Sequence, residues 1–186
     1  PKDHFVIRTF SPLMTIGGGT ILDAAPAKHK RFDDQVIQSL KRFEGSLADS
    51  VEQSFINSNF IPQSPKEVSL KIGERENEVR KVIENLFEKG TLAKIDAEKY
   101  LYSTSYKNLV EILLTMVKSY LSTDSFRLYM PFSDLRSQAM RLTDEQTFKA
   151  VIDELLNKKI IFKKDSQLGL AGHEVSLKPR EQELLA

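Results

Sequence analysis

The chain contains no cysteine. Disulfides, thiolate metal sites and cysteine nucleophiles are excluded, and the composition suits a reducing compartment. No apolar run approaches the roughly 18–20 residues that span a bilayer, so no membrane is expected among the partners. No signal peptide is visible, because Pro1-Lys2-Asp3-His4 has no hydrophobic stretch behind a basic start; a cytoplasmic location is expected. An initiator Met is also missing, and residues 179–186 read as a helix cut soon after it begins. Both ends are read as boundaries within a longer protein. Net charge is nearly absent as well: 27 Lys and Arg against 26 Asp and Glu leave +1. That balance argues against a surface coated throughout for nucleic acid, though it leaves room for a local basic patch. Histidine is scarce, and His4, His29 and His173 lie in three separate segments without H-E-x-x-H or paired spacing. No metal site is expected.

What the chain does hold is enough apolar material for a core. Hydrophobic residues make up 40% of 186, which suits one large domain or two small ones. Residues 1–30 are strand-like and glycine-rich. Phe5-Val6-Ile7-Arg8-Thr9-Phe10 has β propensity, Ser11-Pro12 breaks it, and Met14-Thr15-Ile16 leads through Gly17-Gly18-Gly19 into Thr20-Ile21-Leu22. The expectation is strand, turn, strand with a glycine bend. An isolated hairpin is marginal, so its parent sheet is expected to lie elsewhere.

The remainder is helical and repeats itself. In residues 31–104, Asp33 is an N-cap candidate ahead of Val36, Ile37 and Leu40; Gly45 interrupts; and Ser46 caps a continuation through Leu47, Val51 and Phe55. After the extended Phe60-Ile61-Pro62, Ser64-Pro65-Lys66-Glu67 is a capping box with Pro at the first helical position. A longer helix over 74–89 turns Val79, Val82, Ile83, Leu86 and Phe87 inward, Gly90 stops it, and a hairpin closes the copy. In residues 105–172 the order recurs. Ser105 caps a helix, an extended Leu128-Tyr129-Met130-Pro131 follows, and Ser133 caps a short helix. Thr143-Asp144-Glu145-Gln146 is a second capping box opening a helix to Lys159, and a hairpin ends the copy. Val79, Val82, Ile83, Leu86, Phe87 and Leu92 match Phe148, Val151, Ile152, Leu155, Leu156 and Ile161 at constant spacing. Helix, short strand, helix, helix, two-stranded wing is the winged-helix order. The expected fold class is mainly α with small β wings, in tandem winged-helix domains. Residues 173–186 read as the start of a third.

Few residues suggest chemistry. Gly17-Gly18-Gly19 invites a phosphate-loop reading, but there is no G-x-x-x-x-G-K-[ST] and no helix follows the glycines to hold a phosphate. His29 lies in the basic run Lys28-His29-Lys30-Arg31, which reads as a solvated linker or a phosphate contact. The carboxylates lie among Lys and Arg on helix surfaces, no G-x-S-x-G elbow appears, and no enzyme is expected. In a helix-turn-helix the longer second helix enters a groove. Here 74–89 carries five acids and four bases, and 143–159 four acids and three bases, so neither looks like a strong reader of phosphates. The best basic patch is Lys158, Lys159, Lys163 and Lys164, an RNA-backbone candidate whose alternative is a solvated wing.

The leader carries a resemblance. His4-Phe5-Val6-Ile7-Arg8 followed by Met14-Thr15-Ile16-Gly17-Gly18-Gly19 resembles the closing strands of the third, β-barrel domain in translational GTPases of the EF-Tu type. The fuller pattern, through Leu22-Asp23 to Lys28-His29-Lys30-Arg31, is most similar to bacterial selenocysteine-specific elongation factors, whose C-terminal region is a series of winged helices. The resemblance implies that residues 1–30 are a barrel fragment and linker. It implies a parent that delivers selenocysteinyl-tRNA to the ribosome at UGA codons, with GTP and magnesium as its cofactors and none in this part. Arg8 and Thr15 match positions by the tRNA acceptor arm, while the family's second arginine is replaced by Met14. In the family the mRNA hairpin is held by the last of four winged helices. The two copies here are thus expected to be a monomeric arm joining the tRNA-carrying body to the RNA-binding tip, with weak or no specific RNA binding of their own. The alternatives are a tandem winged-helix DNA-binding regulator and a protein-interaction scaffold.

Overall fold

The computed structural model describes residues 3–22, 26, 28, 33–43, 45–124 and 127–173. His29 and the third winged helix expected after His173 lie outside the described residues. The chain divides into two compact units: Pro1–Asn59 with Gln63–Ser103, and Phe60–Pro62 with Thr104–Ala186. Both are mainly helical with small antiparallel sheets.

The leader is an antiparallel pair, β1 (His4–Arg8) and β2 (Thr15–Thr20). The glycine triplet is not the bend. The chain turns between Thr9 and Met14, where the Thr9 amide donates to the Met14 carbonyl at 2.9 Å, and the glycines lie inside β2. Gly18 and Gly19 permit close approach: a Cβ on Gly18 would stand 2.5 Å from the Phe5 carbonyl oxygen, and one on Gly19 would stand 3.0 Å from the Phe5 ring.

In the first unit, α1 (Asp34–Phe43) and α2 (Leu47–Asn57) form one helical run broken at Gly45. Ser46 restarts it with a capping box: its Oγ accepts from the Asp49 amide at 3.2 Å, and the Asp49 carboxylate accepts from the Ser46 amide at 2.9 Å. Helix α3 (Pro65–Ile72) uses the same device through Ser64 and Glu67 and ends at Gly73, φ 74°. Helix α4 (Glu76–Glu88) has no side-chain cap, but Glu76 and Glu78 sit where its dipole favours acids. The wing follows as β3 (Leu92–Lys94) and β4 (Tyr100–Tyr102). Val51, Phe55, Val68, Ile72, Val79, Ile83 and Leu92 fill the core. Phe87, expected inside, is half-exposed and meets Tyr100 edge-on at 6.0 Å. The stripe through Val79, Ile83 and Leu86 already fills the buried face. Ile37 and Leu40 on α1 are likewise exposed.

The second unit begins with α5 (Ser103–Ser122), unbroken because it has no counterpart of Gly45. Leu109, Leu113, Val117 and Leu121 recur every four residues and are buried. The helix starts two residues before Ser105, so Ser105 is not its cap. Strand β5 (Met130–Pro131) leads straight into α6 (Phe132–Ala139), leaving Pro131 rather than Ser133 at the cap position. Helix α7 (Glu145–Asn157) is capped by Asp144, whose carboxylate accepts from the Thr147 amide at 2.9 Å. The expected box led by Thr143 does not form; the cap lies one residue later. Strands β6 (Ile161–Lys164) and β7 (Gln167–Leu170) make the wing, in a sheet ordered β5-β7-β6. The first unit reduces the third strand to one bridge, Gln63 with Tyr100.

Thr147 is fully buried, and its hydroxyl has no hydrogen-bond partner. Valine keeps the shape and removes the stranded polar atom. Thr147→Val is expected to stabilise the second unit by about 1 kcal/mol, seen as a higher midpoint in a urea titration. A lower midpoint would mean that solvent satisfies the hydroxyl.

Candidate nucleic-acid interface

The two leader residues singled out by sequence come together. Arg8 and Thr15 are direct partners across β1 and β2, next to a register shift at Ile7/Arg8. Both are exposed, as is Met14, which occupies the position where a second arginine would add charge.

The four lysines of the second wing do not share one face. Strand alternation puts Lys163 and Lys164 on opposite faces of β6. Lys163 lies with its ammonium 4.9 Å from the centre of the Phe132 ring, and Lys164 lies 5.6 Å from that of Tyr129. Lys158 pairs with Glu154 at 2.5 Å. Glu154 also accepts a hydrogen bond from Tyr106 at 2.5 Å. The Lys158 bond, then the Tyr106 bond, hold the Glu154 carboxyl below its usual range, while burial and Glu154 push the Tyr106 phenol up. The Tyr106 bond fastens α7 to α5, and Lys158 is engaged with Glu154 at the end of α7. Among the described residues Lys159 has no ion pair, and Lys164 makes only its ring contact.

Lys159 sits in an unusual backbone. Both long helices end in the same pair of bonds. In the first unit Gly90 N–H donates to the Phe87 carbonyl at 2.8 Å and Thr91 N–H to Leu86 at 2.9 Å. In the second, Lys159 donates to Leu156 at 2.9 Å and Ile160 to Leu155 at 3.0 Å. This closure needs a left-handed residue, usually glycine. Gly90 supplies it at φ 74°, whereas Lys159 is forced to φ 54°, at a cost of about 1–2 kcal/mol.

The sequence reading missed Phe162. It is 43% exposed and pairs across the wing with Gly169. A Cβ on Gly169 would lie 2.3 Å from Phe162 Cζ and 2.7 and 2.8 Å from its two Cε atoms. Near-equal distances of this kind describe a point above the ring's face; an approach in the ring plane would leave the Cε atoms much farther away. The ring therefore lies flat over the glycine, and its other face points outward. Tyr129 meets it at 90° with centroids 6.0 Å apart. The repeat spacing could have revealed this residue, because Phe162 falls where the first wing has Ala93.

A groove of about 730 Å³ along α5 is lined by Asn108, Glu111, Thr115, Ser119 and Gln138 among others, without a paired acid and base. Among the described residues no group of three His, Asp or Glu could hold a metal. No helix among them is long and apolar enough to cross a membrane.

No protein-family model matches the chain, and no curated protein matches it. Among solved structures, it is similar to the mRNA-binding domain of elongation factor SelB from E. coli in complex with SECIS RNA. The TM-score is 0.42 and the identity 10%, over 64% of this chain and 96% of that one. A likeness at this level establishes neither fold nor function.

Proposed function

We propose that this chain is part of a translation elongation factor of the selenocysteine-specific kind. Two winged-helix units would form an arm between a body that carries tRNA and GTP and a tip that holds an mRNA hairpin. The observation that supports this reading is the leader. The residues that resemble the closing strands of a translational GTPase barrel do form an antiparallel pair, with Arg8 opposite Thr15. Their apolar side chains stand in water: Val6, Leu13, Met14 and Ile16 are each more than half exposed. A lone two-stranded ribbon is marginally stable, and one with exposed apolar residues on both strands suits the edge of a larger sheet. The acidic excess on the longer helices fits an arm better than a groove reader. The chain itself would not be an enzyme.

A mobility-shift titration tests the reading. At physiological salt this chain is expected to leave the messenger hairpin unshifted, whereas the chain extended through the further winged helices shifts it. Tight, sequence-specific hairpin binding by this chain alone would sink the arm assignment.

A further inference from the structure

We infer that the second wing holds an unpaired nucleotide of an RNA strand, with Phe162 as the stacking platform and Lys159 and Lys164 as the flanking phosphate contacts. Three independent differences between the two wings point the same way. Gly90 is replaced by Lys159, Ala93 by Phe162 and Ile95 by Lys164, all at the repeat's constant spacing. At their tips both wings carry an aspartate, Asp96 and Asp165, and the first adds Glu98 where the second has Gln167.

Two of these replacements do little for folding. Lys159 takes a left-handed conformation that its counterpart leaves to glycine. Phe162 lies on the outer face of the sheet, where alternation places Lys164 as well, so it contributes little to the core. Residues held in strained backbone, as Lys159 is, cluster at functional sites. The chemistry is specific. A flat aromatic face backed by a glycine and braced by Tyr129 accepts a base plane, and every base has one. A base in a duplex is stacked on its neighbours and offers no such plane, so the ligand is a strand, loop or bulge. Lys163 takes no part because alternation puts it on the face of β6 opposite Phe162, and Lys158 is paired with Glu154.

The choice of RNA over single-stranded DNA rests on the translation-factor reading; the platform itself does not. The test is fluorescence anisotropy with a labelled uridine dodecamer, a thymidine dodecamer and an RNA duplex of the same length, at low salt. The uridine strand should bind with a measurable salt slope and more tightly than the duplex. Phe162→Leu should weaken strand binding about tenfold, and Phe162→Tyr should restore it. Lys159→Gly should melt at higher temperature than the parent yet bind less tightly with a shallower salt slope. Binding indifferent to Phe162→Leu, or a preference for the duplex, would overturn the inference. A strong preference for the thymidine strand would overturn the choice of RNA. None of these outcomes depends on the messenger hairpin, so this inference and the arm assignment fail separately.

Discussion

Phe148→Ala is expected to remove about 3–5 kcal/mol from the stability of the second unit, most of what a small domain possesses. The ring is 1% exposed and packs against Phe132 with centroids 5.6 Å apart. It belongs to the cluster that joins α5, α6, α7 and the wing. Its loss removes the transfer free energy of a buried aromatic and leaves a cavity between elements that cannot all close on it. Phe87→Ala is the matched control, because that ring is 43% exposed and its loss should change stability by less than about 1 kcal/mol. Urea titrations followed by circular dichroism measure both. A fall of under 1 kcal/mol for Phe148→Ala would mean that the core is looser than described.

Gly18→Val should open the leader ribbon while Gly17→Val leaves it closed. The two glycines are neighbours with opposite surroundings. A Cβ at Gly18 would lie 2.5 Å from the Phe5 carbonyl oxygen, a backbone atom fixed in the opposing strand, whereas a Cβ at Gly17 would have nothing within 4 Å. Overpacking against backbone costs about 1–3 kcal/mol, and the ribbon has little stability to lose. Amide hydrogen exchange is the readout. Protection at Thr9 and Ile21, whose amides donate to Met14 and Asp3 at 2.9 Å, should fall about tenfold or more in Gly18→Val. Equal protection in the two variants would remove the close approach as the reason for the glycines.

The parts of the fold legible from sequence were those set by a few adjacent residues. The cap at Ser46, the box at Ser64–Glu67 and the stop at Gly90 follow from groups meeting the backbone three or four residues away. Thr143 misled because Asp144 beside it is an equally good acceptor with the better position. Gly17-Gly18-Gly19 misled because a glycine run suits a bend and a close strand approach alike, and only the partner strand decides. The four lysines looked like one patch because proximity in sequence ignores the sides of a strand. Their alternation was legible; their engagement with Glu154, Phe132 and Tyr129 was not, since it depends on residues 4 to 35 positions away. Phe162 escaped notice because an aromatic residue in a strand is ordinarily core.

The pairing of Phe162 with Gly169 also constrains how such a wing can arise. In the first wing the corresponding cross-strand pair is Ala93 with Leu101: a small residue on the first strand, a large one on the second. In the second wing the sizes are exchanged. A phenylalanine arriving first, opposite a leucine, would find the space over the second strand occupied. The reverse order, shrinking the partner before enlarging the first strand, passes through a wing that is weakened but unblocked. The same geometry makes the two positions depend on each other: Gly169 has to stay small for as long as a large ring lies over it.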